Sequence, residues 1–111
     1  MRLRVGVDIV SVSKVEQVVG RWGERFLRRV FSDEELRLSE ALSGKRRYQF
    51  LAGRFAAKEA LIKTLDSPLP YREIVVSRMD SGRPVVDSPL GHYDISISHT
   101  DEYAVAMCVR Y

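Results

Sequence analysis

Gly53-Arg54-Phe55-Ala56-Ala57-Lys58-Glu59-Ala60-Leu61-Ile62-Lys63 lies inside a proline-free, alanine-rich stretch over residues 46–65. That stretch predicts the longest helix of the chain. Pro68 and Pro70 then end helical structure, because proline lacks an amide hydrogen and clashes with the preceding turn. On a wheel of about 100° per residue, Ala52, Gly53, Ala56, Ala57 and Ala60 make a small-residue stripe, with Leu51, Phe55 and Ile62 in an apolar stripe beside it. Glu59 and Lys63 fall between the two. As an exposed i,i+4 pair they would add about 0.2–0.5 kcal/mol to the helix. Inside an apolar arc uncompensated charge is expensive, so a structural ion pair or a site opening onto this face are the other readings. Gly53 costs about 1 kcal/mol relative to alanine in mid-helix, which implies a close approach by another backbone or room for a ligand.

Working outward, residues 2–9 alternate, with Leu3, Val5, Val7 and Ile9 on one side and Arg2, Arg4, Gly6 and Asp8 on the other. This predicts a strand whose apolar row is buried. Ser13-Lys14-Val15-Glu16 reads as a capping box, followed by Val15, Val18, Val19 and Trp22 at helical spacing. A break is expected near Gly23, then a short helix through Phe31. Ser32-Asp33-Glu34-Glu35 is a second capping box opening a helix to about Leu42, with Gly44 as its stop. Beyond the prolines, Ile74-Val75-Val76, Pro84-Val85-Val86, residues 93–98 and residues 103–109 read as strands, with turns at Asp80-Ser81-Gly82 and at His99-Thr100-Asp101-Glu102. Helices between a first strand and a late run of strands imply an α+β fold with a largely antiparallel sheet.

The chain has 111 residues, 45% hydrophobic and 30% charged, which predicts one domain over 1–111 of ordinary globular composition. So small a domain gains from oligomerisation. The net charge of +3 is small, so the placement of cations matters more than their sum. Lys45, Arg46 and Arg47 crowd the start of the long helix, where free amides already favour an anion; a phosphate or a solvated basic turn would account for them. Arg21, Arg25, Arg28 and Arg29 recur at helical spacing, as a solvated face or a docking surface for an acidic helix. Cys108, the one cysteine, lies among Ala106, Met107 and Val109 and reads as a buried, inert thiol. The N-terminus does not read as a signal peptide and no apolar run spans a membrane, so a soluble cytoplasmic protein without membrane contact is expected.

Three blocks then stand in order: Val5-Gly6-Val7-Asp8-Ile9, the Gly53–Ala60 segment with Lys63, and Ile97-Ser98-His99-Thr100. Together they resemble the holo-acyl-carrier-protein synthase family of phosphopantetheinyl transferases. The resemblance implies a 4'-phosphopantetheinyl transferase-like fold, a small mostly antiparallel sheet packed with a long central helix. It implies Mg²⁺-dependent transfer of 4'-phosphopantetheine from coenzyme A to a serine of apo-acyl carrier protein, with release of 3',5'-ADP, in fatty acid biosynthesis. Asp8 and Glu59 match the family's metal carboxylates, Lys63 the lysine near the coenzyme A phosphates, and His99 and Thr100 residues near its nucleotide. Lys45, Arg46, Arg54 and Lys58 are further candidate coenzyme A contacts. The family docks its carrier near the first helices, which adds Lys14 to Arg21, Arg25 and Arg28. A homotrimer with sites between subunits is also implied.

The residue chemistry agrees with that reading. Mg²⁺ takes one or two protein carboxylates and fills its octahedron with water and phosphate oxygens. A cation such as Lys63 suits the charge on departing 3',5'-ADP. For the serine proton, Glu59 and a metal-bound water oriented by Asp8 are both candidates. Two rival classes are weaker: a non-catalytic module for acidic proteins leaves Asp8, Glu59 and Lys63 unexplained, and a nucleic-acid binder lacks a base-stacking pattern of aromatics. No nucleic-acid partner is expected. One departure from the family is the Thr64–Pro70 segment after Lys63, where a glycine-containing stretch is usual.

Overall fold

The computed structural model describes residues 2–87 and 91–111. The order is β1 (Arg4–Ser11), α1 (Val12–Trp22), α2 (Glu24–Val30), α3 (Asp33–Glu40), α4 (Gly44–Ile62), β2 (Val75–Arg78), β3 (Pro84–Asp87), β4 (Tyr93–His99) and β5 (Tyr103–Arg110). A single 3-10 turn, Tyr71–Glu73, precedes β2. One sheet has the order β1-β5-β4 and the other pairs β2 with β3; every pairing is antiparallel. This is the expected α+β arrangement, with α4 laid across the larger sheet against β1 and β5.

The helix boundaries follow local chemistry. The N-cap of α1 is Ser11, whose hydroxyl accepts from the Lys14 amide, so the cap falls two residues before the expected Ser13 box. The chain turns from α1 to α2 at Gly23, at φ 54°. Ser32 and Glu35 do form the capping box, with both reciprocal bonds present. Gly44, expected to stop α3, instead opens α4 with φ 57°. A left-handed residue suits the tight corner between two helices, and glycine adopts it without a Cβ penalty.

The small-residue stripe of α4 is buried. Ala52, Ala56, Ala57 and Ala60 are fully inaccessible. One core cluster joins the first half of α4 to α1 and α2 through Val15, Val19, Leu27, Phe31 and Leu51. A second joins its latter half to β2 and the larger sheet through Leu61, Ile74, Val76, Ile95, Ala106 and Cys108. Burial pushes the Cys108 thiol up to about 11, in keeping with an inert thiol. Gly53 faces β4, where a Cβ would come 3.0 Å from Ile97 Cγ2.

The side of β1 that faces inward overturns the expectation. Leu3, Val5, Val7 and Ile9 are 64%, 61%, 55% and 63% exposed. The row of Gly6, Asp8 and Val10 turns toward α4, and Gly6 is buried. The reason is steric: a Cβ at Gly6 would lie 1.9 Å from the Ala60 carbonyl oxygen. The backbone of β1 therefore rests directly on that of α4, an approach open to glycine alone. Tyr103, Val105 and Met107 of β5 are also exposed and extend the same apolar outer face, since β5 pairs with β1.

Gly6→Ala is expected to destabilise the chain by about 3 kcal/mol, because the obstructing atom is backbone. Urea denaturation of the two proteins measures the difference.

Candidate active site

The contact between β1 and α4 assembles the site. Asp8 stands two residues beyond Gly6 on the inward row, and Lys63 caps the C-terminal end of α4. Lys63 Nζ donates to the Val7 carbonyl at 2.8 Å and to Asp8 Oδ1 at 3.4 Å. Of the readings open for Glu59 and Lys63, the i,i+4 pair is not the one formed: Lys63 pairs with Asp8 instead, bridging helix and strand. Burial raises Asp8 above the usual carboxylate range, and the neighbouring charge of Glu59 adds to the rise while Lys63 opposes it.

Asp8 and Glu59 both line a cavity of about 630 Å³. Lys14 stands in its wall, and Val15, Val18, Phe26 and Phe55 make the wall apolar. Two carboxylates facing one space repel, and a hard divalent cation would relieve that repulsion. Their oxygen donors match what Mg²⁺ takes from proteins, with the remaining positions left for water and phosphate.

Glu59 has a partner that the sequence did not announce. The Tyr71 hydroxyl donates to Glu59 Oε1 at 2.5 Å. This bond, with burial second, pushes the phenol up to about 12. Tyr71 lies in the short turn after Pro70, within a segment whose proline-rich composition carried no signal of a site.

A second cavity of about 460 Å³ is cationic. Arg46, Arg54, Arg78 and His99 line it together with Gly53 and Gln49. Arg54 is 8% exposed, its guanidinium lies 4.4 Å from the Phe50 ring centroid, and its buried Nε has no hydrogen-bond partner among the described residues. Burial brings its pKa down to about 10, with the charge of Arg78 adding to the effect. Clustered guanidiniums facing one space favour an anion. Arg78 was not foreseen, because a lone cation at a strand end has no periodic signature. Among the described residues the two cavities share no lining residue.

The other candidates are scattered. Lys45 is exposed, 3.9 Å from Asp101, and lines a different cavity with Glu16 and Glu102. Thr100 Oγ1 accepts from the amides of Glu102 and Tyr103, which closes the β4–β5 turn. Lys58, expected at the coenzyme phosphates, is fully buried. Its ammonium donates to the Val30 carbonyl at 2.6 Å, Glu35 Oε1 at 2.6 Å and the Tyr71 carbonyl at 2.9 Å. An ammonium has three donors, so nothing is left for a phosphate. On the first helices Arg21, Arg25, Arg28 and Arg29 are exposed. Arg28 pairs with Glu24, and Arg21 lies over the exposed ring of Trp22. The atypical segment after Lys63 is tied down by Arg4 and Arg110, which both donate to the Thr64 carbonyl, while Arg4 also pairs with Asp66.

Comparison with known proteins places this geometry. A family model described as the 4'-phosphopantetheinyl transferase superfamily matches residues 4–108. The chain belongs to this family. A holo-[acyl-carrier-protein] synthase from Dehalococcoides mccartyi is 41% identical, over 96% of this chain and 97% of its own. Among solved structures, a holo-(acyl-carrier-protein) synthase from Bacillus anthracis in complex with CoA (3',5'-ADP) superposes with a TM-score of 0.87 at 32% identity, covering 96% of this chain and 93% of its own. The Helicobacter pylori synthase in complex with coenzyme A gives 0.86 at 28% identity, covering 97% and 100%. The phosphopantetheinyl transferase fold of this chain is therefore the α+β one expected.

Removing the ammonium with Lys58→Met leaves the Glu35 carboxylate buried without its counter-charge, and is expected to cost about 3–5 kcal/mol of stability. Thermal and urea unfolding check this. Lys45→Ala, at an exposed and loosely paired position, is expected to leave stability within about 0.5 kcal/mol.

Proposed function

We propose that this chain, as one domain over 1–111, transfers 4'-phosphopantetheine from coenzyme A to a serine hydroxyl of apo-acyl carrier protein and releases 3',5'-ADP, serving fatty acid biosynthesis. The observation that carries the reading is the convergence of Asp8, Glu59 and Lys63 in a chain of this family. Asp8 and Glu59 would hold Mg²⁺, which supplies charge neutralisation at the pyrophosphate when bound. Lys63, half exposed beside Asp8, is placed to meet the charge that develops on the departing 3',5'-ADP. The carrier serine oxygen bonds to phosphorus as the bond to the 3',5'-ADP oxygen breaks. Its proton passes to Glu59 or to a water oriented by Asp8.

Arg46, Arg54, Arg78 and His99 would take the nucleotide phosphates in their cavity. Lys14, beside the apolar cavity, with Arg21, Arg25 and Arg28 on the exposed helical face, would steer an acidic carrier helix into place. Within one chain the cationic cavity and the carboxylates are separate. An assembly that brings one copy's cavity to another copy's carboxylates joins them. The apolar outer face of β1 and β5 supplies surface for such contact, and a homotrimer is the arrangement proposed.

Mass spectrometry of apo-acyl carrier protein incubated with the chain, coenzyme A and Mg²⁺ should show one added phosphopantetheine, abolished by chelation. An unmodified carrier would overturn the reading. Asp8→Ala and Glu59→Ala should each lower turnover on the order of 100-fold or more with melting curves that stay cooperative. Lys63→Ala should lower kcat more than it raises the KM for coenzyme A, since its charge acts most in the transition state. Sedimentation should give a trimer. Co-refolding Glu59→Ala chains with His99→Ala chains should restore part of the activity that each lacks alone, and a fully active monomer would refute the shared site.

A further inference from the structure

Among the described residues, Tyr71 is the one group that contacts Glu59 through a side-chain hydrogen bond, and the reaction above gives it no part. The residue itself is held from several directions. Its carbonyl accepts from Lys58 Nζ at 2.9 Å, and Lys58 is itself fixed by Glu35 at 2.6 Å with neither side chain exposed. Its ring lies 5.4 Å from that of Phe55, at 55°. The Pro70 carbonyl accepts from Glu73, closing the turn that carries Tyr71. A buried ion pair, a ring contact and a closed turn therefore place one phenolic proton at one oxygen of Glu59.

A glutamate on a helix surface samples many rotamers, and ordering it carries an entropic cost. Glu59 is held at Oε1 before any ligand arrives. Glu59 lines the cavity that Asp8 shares.

We propose that Tyr71 is a positioning residue, whose hydroxyl holds Glu59 in the rotamer that would present its carboxylate to a divalent cation. This rests on the reading of Asp8 and Glu59 as the metal carboxylates. Groups that orient a metal ligand commonly affect affinity by about 10–100-fold. Tyr71 supplies that orientation from outside the helix that carries Glu59, from a residue whose backbone carbonyl is held by the Glu35–Lys58 pair.

The test is titration of the full chain with Mn²⁺ alone, reading the free ion by electron paramagnetic resonance. Tyr71→Phe keeps the ring, the carbonyl and the Phe55 contact and removes one oxygen. It should weaken Mn²⁺ binding about tenfold while the melting curve stays cooperative. In transfer assays the same variant should need more Mg²⁺ for half-maximal rate yet approach the unaltered kcat when the ion saturates. Glu59→Asp withdraws the carboxylate by one methylene from the hydroxyl, so adding Tyr71→Phe to that variant should cause no further loss. Equal losses in both backgrounds would mean that the hydroxyl acts elsewhere, and would overturn the proposal. An unaltered chain that binds Mn²⁺ through Asp8, with Tyr71→Phe binding within twofold of it, overturns the tyrosine's role alone. If the unaltered chain binds no Mn²⁺, or Asp8→Ala leaves binding unchanged, the metal reading falls and this proposal with it.

Discussion

A strand backbone resting on a helix backbone, at Gly6 and Ala60, is the contact on which the rest of the structure depends. Two backbones approach this closely only where neither carries a side chain of any size at the crossing. Ala60 belongs to the small-residue stripe of α4, fully buried along its length. Gly6 supplies the matching gap in β1. Once the two are in contact, Asp8 is carried down to the end of α4, where Lys63 bonds both to it and to the Val7 carbonyl. A side chain at Gly6 would lift β1 and draw the carboxylate away from Glu59 and Lys63. Packing and chemistry are thus set by one geometric requirement.

The same contact decides what the outer face must be. With Gly6 and Asp8 turned inward, the alternation of a strand sends Leu3, Val5, Val7 and Ile9 outward. Scattered exposed apolar residues are ordinary, but a contiguous sheet face of them marks a surface that meets something. Beside it, the cationic cavity of Arg54 and the carboxylates of Asp8 and Glu59 belong to different parts of one chain. The proposed assembly of copies through the sheet would account for both features.

A second node lies behind the site. Glu35 accepts from the amides of Ser32 and Val76 and from Lys58, so one buried carboxylate ties the start of α3, the middle of α4 and β2 together. Burial pushes the Lys58 ammonium down and Glu35 opposes that shift. Such a pair adds little net stability over an apolar substitute, but losing one partner is severe. Its value here is registry. It fixes the Tyr71 carbonyl, and through Tyr71 it reaches Glu59.

Much of this was legible in the residues. The length of α4, the break at Gly23, the Ser32–Glu35 box and the final hairpin follow from local rules of capping, helical period and alternation, which act within a few residues and so can be read from them. Glu59 and Lys63 stood out as candidates, since charge within an apolar arc of a helix calls for an explanation, and Asp8 was singled out through the family resemblance. Alternation shows that a strand has two faces, yet it does not say which one the helix will press against. For β1 the apolar row was the natural inward choice, and the Gly6–Ala60 approach reversed it. Lys58 and Lys63 stand on the same helix with the same chemistry, and only the position of Glu35 in α3 turns one into a buried strut and leaves the other at the site. Tyr71 and Arg78 have no local signature, because Glu59, which Tyr71 contacts, and Arg54, which shares a cavity with Arg78, belong to another element. Element type was thus settled by local chemistry, whereas the inward face, the division of labour among the lysines and the company of Glu59 were settled by long-range packing, which joins residues that no window of sequence contains.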